Sequence, residues 1–141
     1  MSARFITIER VALLQSLEFF EGAPTHVLAS VAEHATEVEL AAGEQLMIEG
    51  DDGDCLYVMA SGRVRVVQGG RTIAELGVGD VVGELAVLSP GPRSATAEVV
   101  EASTVLRVGA DVLDELLLDH PDVTRGIIEV LVRRLRKIAP S

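Results

Sequence analysis

The residues best suited to bind a ligand lie in one segment rich in glycine and proline, VVGELAVLSPGPRSATAEV at positions 81–99. Residues 83–88 have room for one or two helical turns before the prolines. The first amides of a helix lack intrahelical partners and carry partial positive charge. Arg93 adds a planar fork of donors that matches phosphate oxygens, and Ser94 adds a hydroxyl. The segment therefore predicts an anion site.

Glu84 is the unexpected member of this segment, because a carboxylate repels an anion bound beside it. The repulsion is offset if the ligand also carries hydroxyl groups that donate to the carboxylate, as a ribose does. Gly83 and Ala86 are small enough for a ligand to approach the backbone closely. These residues indicate a sugar phosphate, although their spacing also allows an Arg93–Glu84 ion pair that simply closes a loop.

The middle of the chain must supply the framework for this segment, and its pattern is that of short strands. Seven β-type runs are separated by breaks that contain glycine or aspartate, such as SGR at residues 61–63 and a tight hairpin turn at Gly69-Gly70. The runs are TEVEL, EQLMIE, CLYVMA, RVRVVQ, RTIAEL, TAEVV and TVLRV. This spacing predicts an antiparallel sandwich or barrel rather than a parallel sheet.

The two ends of the chain show helical periodicity instead. The predicted helices are one over residues 6–20, a short one that starts at Pro24-Thr25 with its buried face before His34, one from Ala110 to the break at His120-Pro121, and a final one capped by Asp122 that carries Ile138. The predicted fold class is therefore α+β: an antiparallel β-roll, in the manner of a double-stranded β-helix or jelly roll, flanked by N-terminal and C-terminal helices.

Composition narrows the possible functions. A length of 141 residues supports one buried core, and a hydrophobic share of 48% indicates a globular chain. The formal net charge of −10 argues against nucleic-acid binding, which depends on Lys and Arg contacts to phosphates. Cys55 is the single cysteine, so no disulfide can form within the chain. Without an apolar run of about 18 residues or a signal-peptide pattern, we expect a soluble, cytoplasmic protein.

Residues 19–135 resemble the cyclic nucleotide-binding domain, the regulatory module of cyclic-AMP-dependent transcription regulators, protein kinase regulatory subunits and cyclic-nucleotide-gated channels. GEQLMIEGDDGDCLYVMASGRVRV, residues 43–66, resembles the opening β-hairpins of that family with their Gly-Asp turn. LGVGDVVGELAVLSPGPRSATA, residues 76–97, resembles its phosphate-binding cassette. The resemblance implies a β-roll that holds a 3′,5′-cyclic nucleotide with the cassette around the cyclic phosphate.

The resemblance also implies roles for individual residues. Glu84 matches the acceptor for the ribose 2′-hydroxyl, and Arg93 matches the arginine that pairs with the phosphate. Arg134, in the final helix that closes the pocket in the family, is expected to reach the base or the ribose. Threonine after the arginine often accompanies cyclic GMP preference, so Ser94 favours cyclic AMP. The other implied ligand-binding residues are Val82, Gly83, Leu85, Ala86 and Ala95.

The implied function is that of a non-catalytic sensor of cyclic AMP or cyclic GMP, with no metal and no cofactor apart from the ligand. Binding is expected to change the packing of the C-terminal helices, residues 111–118 and 123–138. We expect an N-terminal helix over residues 1–22 and the binding domain over residues 23–141. The expected partners are the cyclic nucleotide and a larger effector protein or transporter, fused or separate, and neither nucleic acid nor a membrane.

Three alternatives compete with this interpretation. A degenerate member of the family would keep the fold as an interaction domain without binding nucleotide. A metal-dependent cupin-like enzyme would also be a small β-roll, but it needs clustered histidines, and His26, His34 and His120 are scattered. A DNA-binding regulator would need a helix-turn-helix segment after the last helix, and the sequence ends at Ser141.

Overall fold

The computed structural model describes residues 7–83, 89 and 91–138, and its helices lie at the two ends of the chain as the periodicity predicts. They are α1 (Thr7–Gln15), a 3-10 helix (Glu18–Phe20), α2 (Thr25–His34), α3 (Ala110–Asp119) and α4 (Pro121–Ile138). None of the described helices combines the length and the apolar composition that a bilayer crossing requires. The predicted site residues Glu84, Leu85 and Ala86, and most of the predicted helix over residues 83–88, lie outside the described residues.

The prediction of one continuous helix over residues 6–20 is wrong. α1 ends at Gln15, and Leu17 adopts an extended backbone with φ −80° and ψ 133° before the 3-10 helix begins. Leu17, Phe19 and Phe20 are all buried. Because positions 17 and 19 would lie on opposite sides of a continuous α-helix, the interruption brings all three side chains into the core.

The final helix also starts differently from the prediction. We expected Asp122 to be its N-cap, but α4 begins at Pro121. Proline suits the first helical position because it lacks an amide hydrogen and its φ is already close to the helical value. Asp122 lies in the first turn instead, where its negative charge still interacts favourably with the helix dipole.

The strands of the described residues lie between the helices, and all their pairings are antiparallel. They are β1 (Thr36–Leu40), β2 (Gln45–Met47), β3 (Asp52–Gly53), β4 (Cys55–Gln68), β5 (Arg71–Leu76), β6 (Val81–Val82), β7 (Gly91–Pro92) and β8 (Thr96–Gly109). The main sheet has the order β1-β8-β4-β5, with β2 paired to β8 and β6 to β4, whereas β3 pairs with β7 in a separate sheet. The predicted antiparallel β-roll flanked by helices is confirmed.

One predicted turn is confirmed and two predicted strand breaks are wrong. Gly69 and Gly70 have φ values of +57° and +79°, as a type I′ hairpin turn requires. In contrast, CLYVMA and RVRVVQ form the single strand β4, and TAEVV and TVLRV form the single strand β8. The register between them shifts around residues 61–63. A bulge of this kind bends a strand without ending it, so the SGR sequence marks a bend rather than a turn.

The buried side chains form two clusters that hold the strands carrying the candidate site. The larger cluster joins the helices to β4 and β8 through residues such as Phe20, Leu28, Leu56 and Leu113. The smaller cluster lies within the roll and consists of Met59, Val64, Val82, Ala97, Val99 and Val105. Each fully buried aliphatic side chain stabilises the fold by about 1.5–3 kcal/mol. Together they secure β4 and β6, which contribute residues to the candidate site, and β8, which pairs with β4.

Candidate functional site

A cleft of about 380 Å³ lies on the roll beside β5, β6 and the residues after β7. A volume of this size suits a small-molecule ligand. Five residues that the sequence predicts to bind a ligand line it: Val82, Gly83, Arg93, Ser94 and Ala95. The other described lining residues are mostly apolar, and they are Met47, Val66, Ile73, Ala74, Leu76, Val81, Ser89 and Pro92. The described part of the predicted site is therefore one continuous surface, apart from Arg134.

The backbone of Arg93 is tied to the Gly-Asp turn that precedes β3. Its amide donates to the Asp51 carbonyl at 2.7 Å, and its carbonyl accepts from the Gly50 amide at 2.9 Å. One residue earlier, Pro92 pairs with Asp52 in the two-stranded sheet. The Gly-Asp turn and the arginine assigned to the phosphate are therefore parts of one structural unit.

The side chain of Arg93 turns inward, and the residue is only 7% exposed. Its Nη1 donates to the Cys55 carbonyl at 2.9 Å and, over a longer distance of 3.4 Å, to the Gly83 carbonyl. Its Nη2 donates to the Cys55 Sγ at 3.2 Å. The guanidinium carbon lies 5.7 Å from the centre of the Tyr57 ring, within the range of a cation–π contact. These contacts hold the cation with two backbone carbonyls, a cysteine sulfur and an aromatic ring.

The charge of Arg93 has no counterion within the described part of the chain, where no carboxylate lies within ion-pair distance of its guanidinium. Glu84, the partner in the loop-closing alternative, lies outside the described residues. A buried cation is costly unless an anion or several strong acceptors compensate it. The arrangement therefore favours an anion in the cleft next to Arg93.

The hydroxyl group of Tyr57 responds to the same electrostatic environment. Burial and a hydrogen bond with Cys55 raise the pKa of Tyr57 above its ordinary value of 10.0, whereas the positive charges of Arg93 and Arg107 act to lower it. The raising effects dominate because surroundings of low polarity disfavour the charged phenolate. Tyr57 is therefore neutral at physiological pH where its ring lies under Arg93.

Sequence reasoning missed Cys55 and Tyr57 as parts of this site. It considered Cys55 only as the single cysteine of the chain, which excludes an intrachain disulfide. Cys55 is buried, but its carbonyl and its sulfur both accept hydrogen bonds from Arg93. The contact joins positions 38 residues apart, so no local pattern predicts it. The available signal was that residues 43–66 and 76–97 both carry the same family resemblance.

The three histidines, which are scattered in the sequence, line one groove between α2 and α3. The ring centroids of His26 and His120 are 6.3 Å apart, and His34 lines the same groove. Among residues 7–83, 89 and 91–138, no group of three or more histidine, cysteine, aspartate or glutamate side chains is arranged to hold a metal ion. The groove and the cleft beside Arg93 share no described lining residue.

Comparison with protein families identifies the cleft-bearing part of the chain. Residues 37–120, more than half of the chain, match the family model of the cyclic nucleotide-binding domain. The chain belongs to the cyclic nucleotide-binding domain family. The match confirms the resemblance seen in the sequence, and it spans both the Gly-Asp turn and the cassette that contains Arg93.

Members of this family with very different total lengths are similar to the chain. The CRP-like cAMP-activated global transcriptional regulator of Mycobacterium tuberculosis is 28% identical over 89% of this chain, which spans 58% of that relative. The cGMP-dependent protein kinase of Toxoplasma gondii is 39% identical over 87% of this chain, which spans 13% of the kinase. A solved structure of the regulatory domain of Toxoplasma gondii PKA with cAMP is also similar, with a TM-score of 0.74 and 29% sequence identity. The match covers 82% of this chain and 46% of the PKA chain. The similarity therefore concerns a binding domain, and the relatives extend beyond it.

Arg134 lies apart from the cleft of this cyclic nucleotide-binding domain. It is half-buried on α4 and is not one of the residues that line the cleft. The buried residues Ile127 and Val130 pack α4 into the helical cluster, and Arg133 donates to Glu21 at 3.1 Å. Contact between Arg134 and a ligand stays a prediction.

Proposed function

We propose that this domain binds a 3′,5′-cyclic nucleotide in the cleft, with the cyclic phosphate next to Arg93. The observation that carries the proposal is the buried guanidinium at the cleft wall, whose described partners include no carboxylate. An anionic phosphate supplies the missing charge and accepts a bidentate pair of hydrogen bonds. Membership of the cyclic nucleotide-binding family supports the same ligand class.

The remaining parts of the ligand are assigned from the surroundings of Arg93. The apolar cleft wall formed by Val66, Ile73 and Leu76 suits one face of a purine base. The backbone amides from Gly83 onward are proposed to donate to the phosphate, and Glu84 to accept from the ribose 2′-hydroxyl. Recognition of the sugar and the phosphate together would distinguish a nucleotide from free phosphate.

Cyclic AMP is the proposed ligand in preference to cyclic GMP. Ser94 lines the cleft directly after Arg93, and serine at this position is common among cyclic AMP binders of the family. The names of the relatives include both a cAMP-activated regulator and a cGMP-dependent kinase, so family membership alone supports either base. The proposed preference therefore depends on this one side chain.

The proposed output is a change in the packing of α3 and α4, without catalysis by this domain. A ligand shifts a conformational equilibrium only if it binds one state better than the other. Contact between Arg134 and the bound nucleotide would provide that difference in affinity. The shifted helices would then act on an effector region, in the same protein or in a partner, with cytoplasmic signalling as the proposed setting.

Calorimetry with cyclic AMP, cyclic GMP and 5′-AMP tests the ligand assignment. We expect cyclic AMP to bind most tightly, cyclic GMP more weakly, and 5′-AMP most weakly because its open phosphate carries a different shape and charge. Hydrogen exchange over residues 110–138, with and without cyclic AMP, tests the proposed change in α3 and α4. Absence of heat and of thermal stabilisation with both cyclic nucleotides would identify a non-binding interaction domain instead.

A further inference from the structure

Gly53 is the residue that leaves space for the side chain of Arg93. It is buried in β3 and pairs with Gly91 of β7. The nearby Gly50 has a φ of +89°, a value that favours glycine, whereas Gly53 does not have a positive φ. The backbone conformation would therefore accept alanine at position 53, and the reason for glycine there is steric.

A side chain at position 53 would occupy the space of the Arg93 guanidinium. The three atoms nearest to a Cβ built on Gly53 all belong to Arg93: Nε and Cζ, which the Cβ would overlap, and Cδ at 2.7 Å. A Cβ built on Gly83 would overlap the Nη1 of the same guanidinium. The Arg93 side chain therefore lies in a slot between two glycines, and Cys55 accepts its hydrogen bonds.

The backbone around this slot has little freedom to relieve such an overlap. The amide and the carbonyl of Arg93 are both hydrogen-bonded to the turn at Gly50 and Asp51. An added methyl group would therefore act on the side chain of Arg93, which would have to take another rotamer. In any position outside the slot, the guanidinium would lose the two acceptors of Cys55.

We propose that Gly53 is a positioning residue for Arg93, which keeps the guanidinium buried at the cleft wall and thereby prepares it for the phosphate. The role in affinity rests on the proposed function, whereas the steric relation between Gly53 and Arg93 does not. The relation assigns a use to the glycine of β3, the short strand that follows the Gly-Asp turn. It also explains how a charged side chain fits between β3 and the residues after β6.

A double-mutant cycle without ligand tests the steric relation. Gly53→Ala is expected to lower the unfolding midpoint of the wild-type protein, because the new methyl group displaces Arg93. In the Arg93→Ala background the same substitution is expected to have almost no effect, because the overlapping atoms are absent. Gly77→Ala is the matched control: a Cβ there has the Gly62 carbonyl at 3.7 Å as its nearest neighbour, so it should be tolerated in both backgrounds.

Titration of Tyr57 provides a readout that a merely structural role would not change. Tyr57 is the only tyrosine of the chain, so near-ultraviolet absorbance reports its ionisation alone. Moving the positive charge of Arg93 away from the ring should raise the pKa of Tyr57, since that charge lowers it. We expect a higher pKa of Tyr57 in Gly53→Ala and in Arg93→Ala, and no further increase in the double variant. The pKa of Tyr57 should be unchanged in Gly77→Ala.

Affinity measurements complete the test. Gly53→Ala should weaken cyclic AMP binding by roughly tenfold to a hundredfold, the scale of losing a hydrogen bond to a charged group, and the double variant should bind like Arg93→Ala. If Gly53→Ala destabilises both backgrounds equally, the positioning role is wrong whatever the ligand. If the cycle is non-additive but the wild type binds no cyclic nucleotide, the positioning role stands and the proposed function fails.

Discussion

Two arginines of this chain are held by backbone carbonyls, and their surroundings differ. Arg10 lies in the helical layer, where its Nη1 donates to the carbonyls of Ala32 and Ala35 at 3.2 and 3.1 Å. Its side chain is 20% exposed, and its Nη2 lies 3.9 Å from the carboxylate of Glu37. Arg93 is more deeply buried, donates to the Cys55 carbonyl, and lines an open cleft.

The difference between the two arginines separates the structural role of Arg10 from the binding role proposed for Arg93. Arg10 completes the C-terminus of α2, where free carbonyls carry partial negative charge, and Glu37 adds a counterion. The charge of Arg10 is thus compensated within the fold. For Arg93, the described residues provide acceptors without a counterion, and the cleft provides space for one. Burial and carbonyl contacts alone therefore do not support a ligand site; the proposal for Arg93 depends on the cleft and on the absence of a carboxylate partner among the described residues.

The largest expected effect is the loss of nucleotide binding in Arg93→Ala. Removing one member of a buried, hydrogen-bonded charge pair typically costs about 2–5 kcal/mol, which lowers the affinity tens- to thousands-fold. Calorimetry with cyclic AMP measures the change, and Arg10→Ala serves as the control with unchanged affinity. Equal affinities of the wild type and Arg93→Ala would contradict the assignment of the phosphate to this cleft.

Arg10→Ala should show the opposite pattern, a loss of stability with normal binding. The substitution leaves the carbonyls of Ala32 and Ala35 without their charged donor, which typically costs about 1–3 kcal/mol. Urea unfolding should show a lower midpoint with an unchanged slope. A drop in cyclic AMP affinity as large as that of Arg93→Ala would mean that the two regions are coupled rather than independent.

A smaller effect is expected from Glu84→Gln. The amide still offers an oxygen to the ribose 2′-hydroxyl, so the loss should be about 1 kcal/mol, or roughly fivefold in affinity. Competition binding with cyclic AMP and its 2′-deoxy analogue measures it, since the variant should discriminate less between the two. A loss larger than that of Arg93→Ala would contradict the roles assigned to the two residues.

The smallest effect concerns pH. Because the pKa of Tyr57 is raised in the folded state, the unfolded state loses its tyrosine proton first as pH rises above 10.0. The free energy of unfolding should therefore be independent of Tyr57 below this pH and should decrease above it. Comparing the wild type with Tyr57→Phe in alkaline urea unfolding isolates this contribution. An identical pH dependence of the two proteins would show that Tyr57 ionises as it does in the unfolded chain.

Much of the fold could be predicted because its signals are local. The period-2 runs, the Gly69-Gly70 hairpin and the helix that begins at Thr25 all follow from patterns within a few residues. The errors occurred where tertiary packing outweighs local preference. The SGR sequence at residues 61–63 continues a strand because β4 stays paired with β8 on both sides of the shifted register. Burial of Phe19 and Phe20 interrupts the first helix.

The sequence by itself determined the family and the arrangement of an antiparallel roll between N-terminal and C-terminal helices, because periodicity, turn chemistry and motif spacing are properties of neighbouring residues. Only the tertiary structure decided what surrounds Arg93. The slot forms only if Gly53 and Cys55 lie next to Arg93, which follows them by about 40 positions in the sequence. The pairing of β3 with β7 brings these segments together. Excluded volume and hydrogen bonding between segments that are distant in the sequence therefore fix the burial and the orientation of the Arg93 side chain.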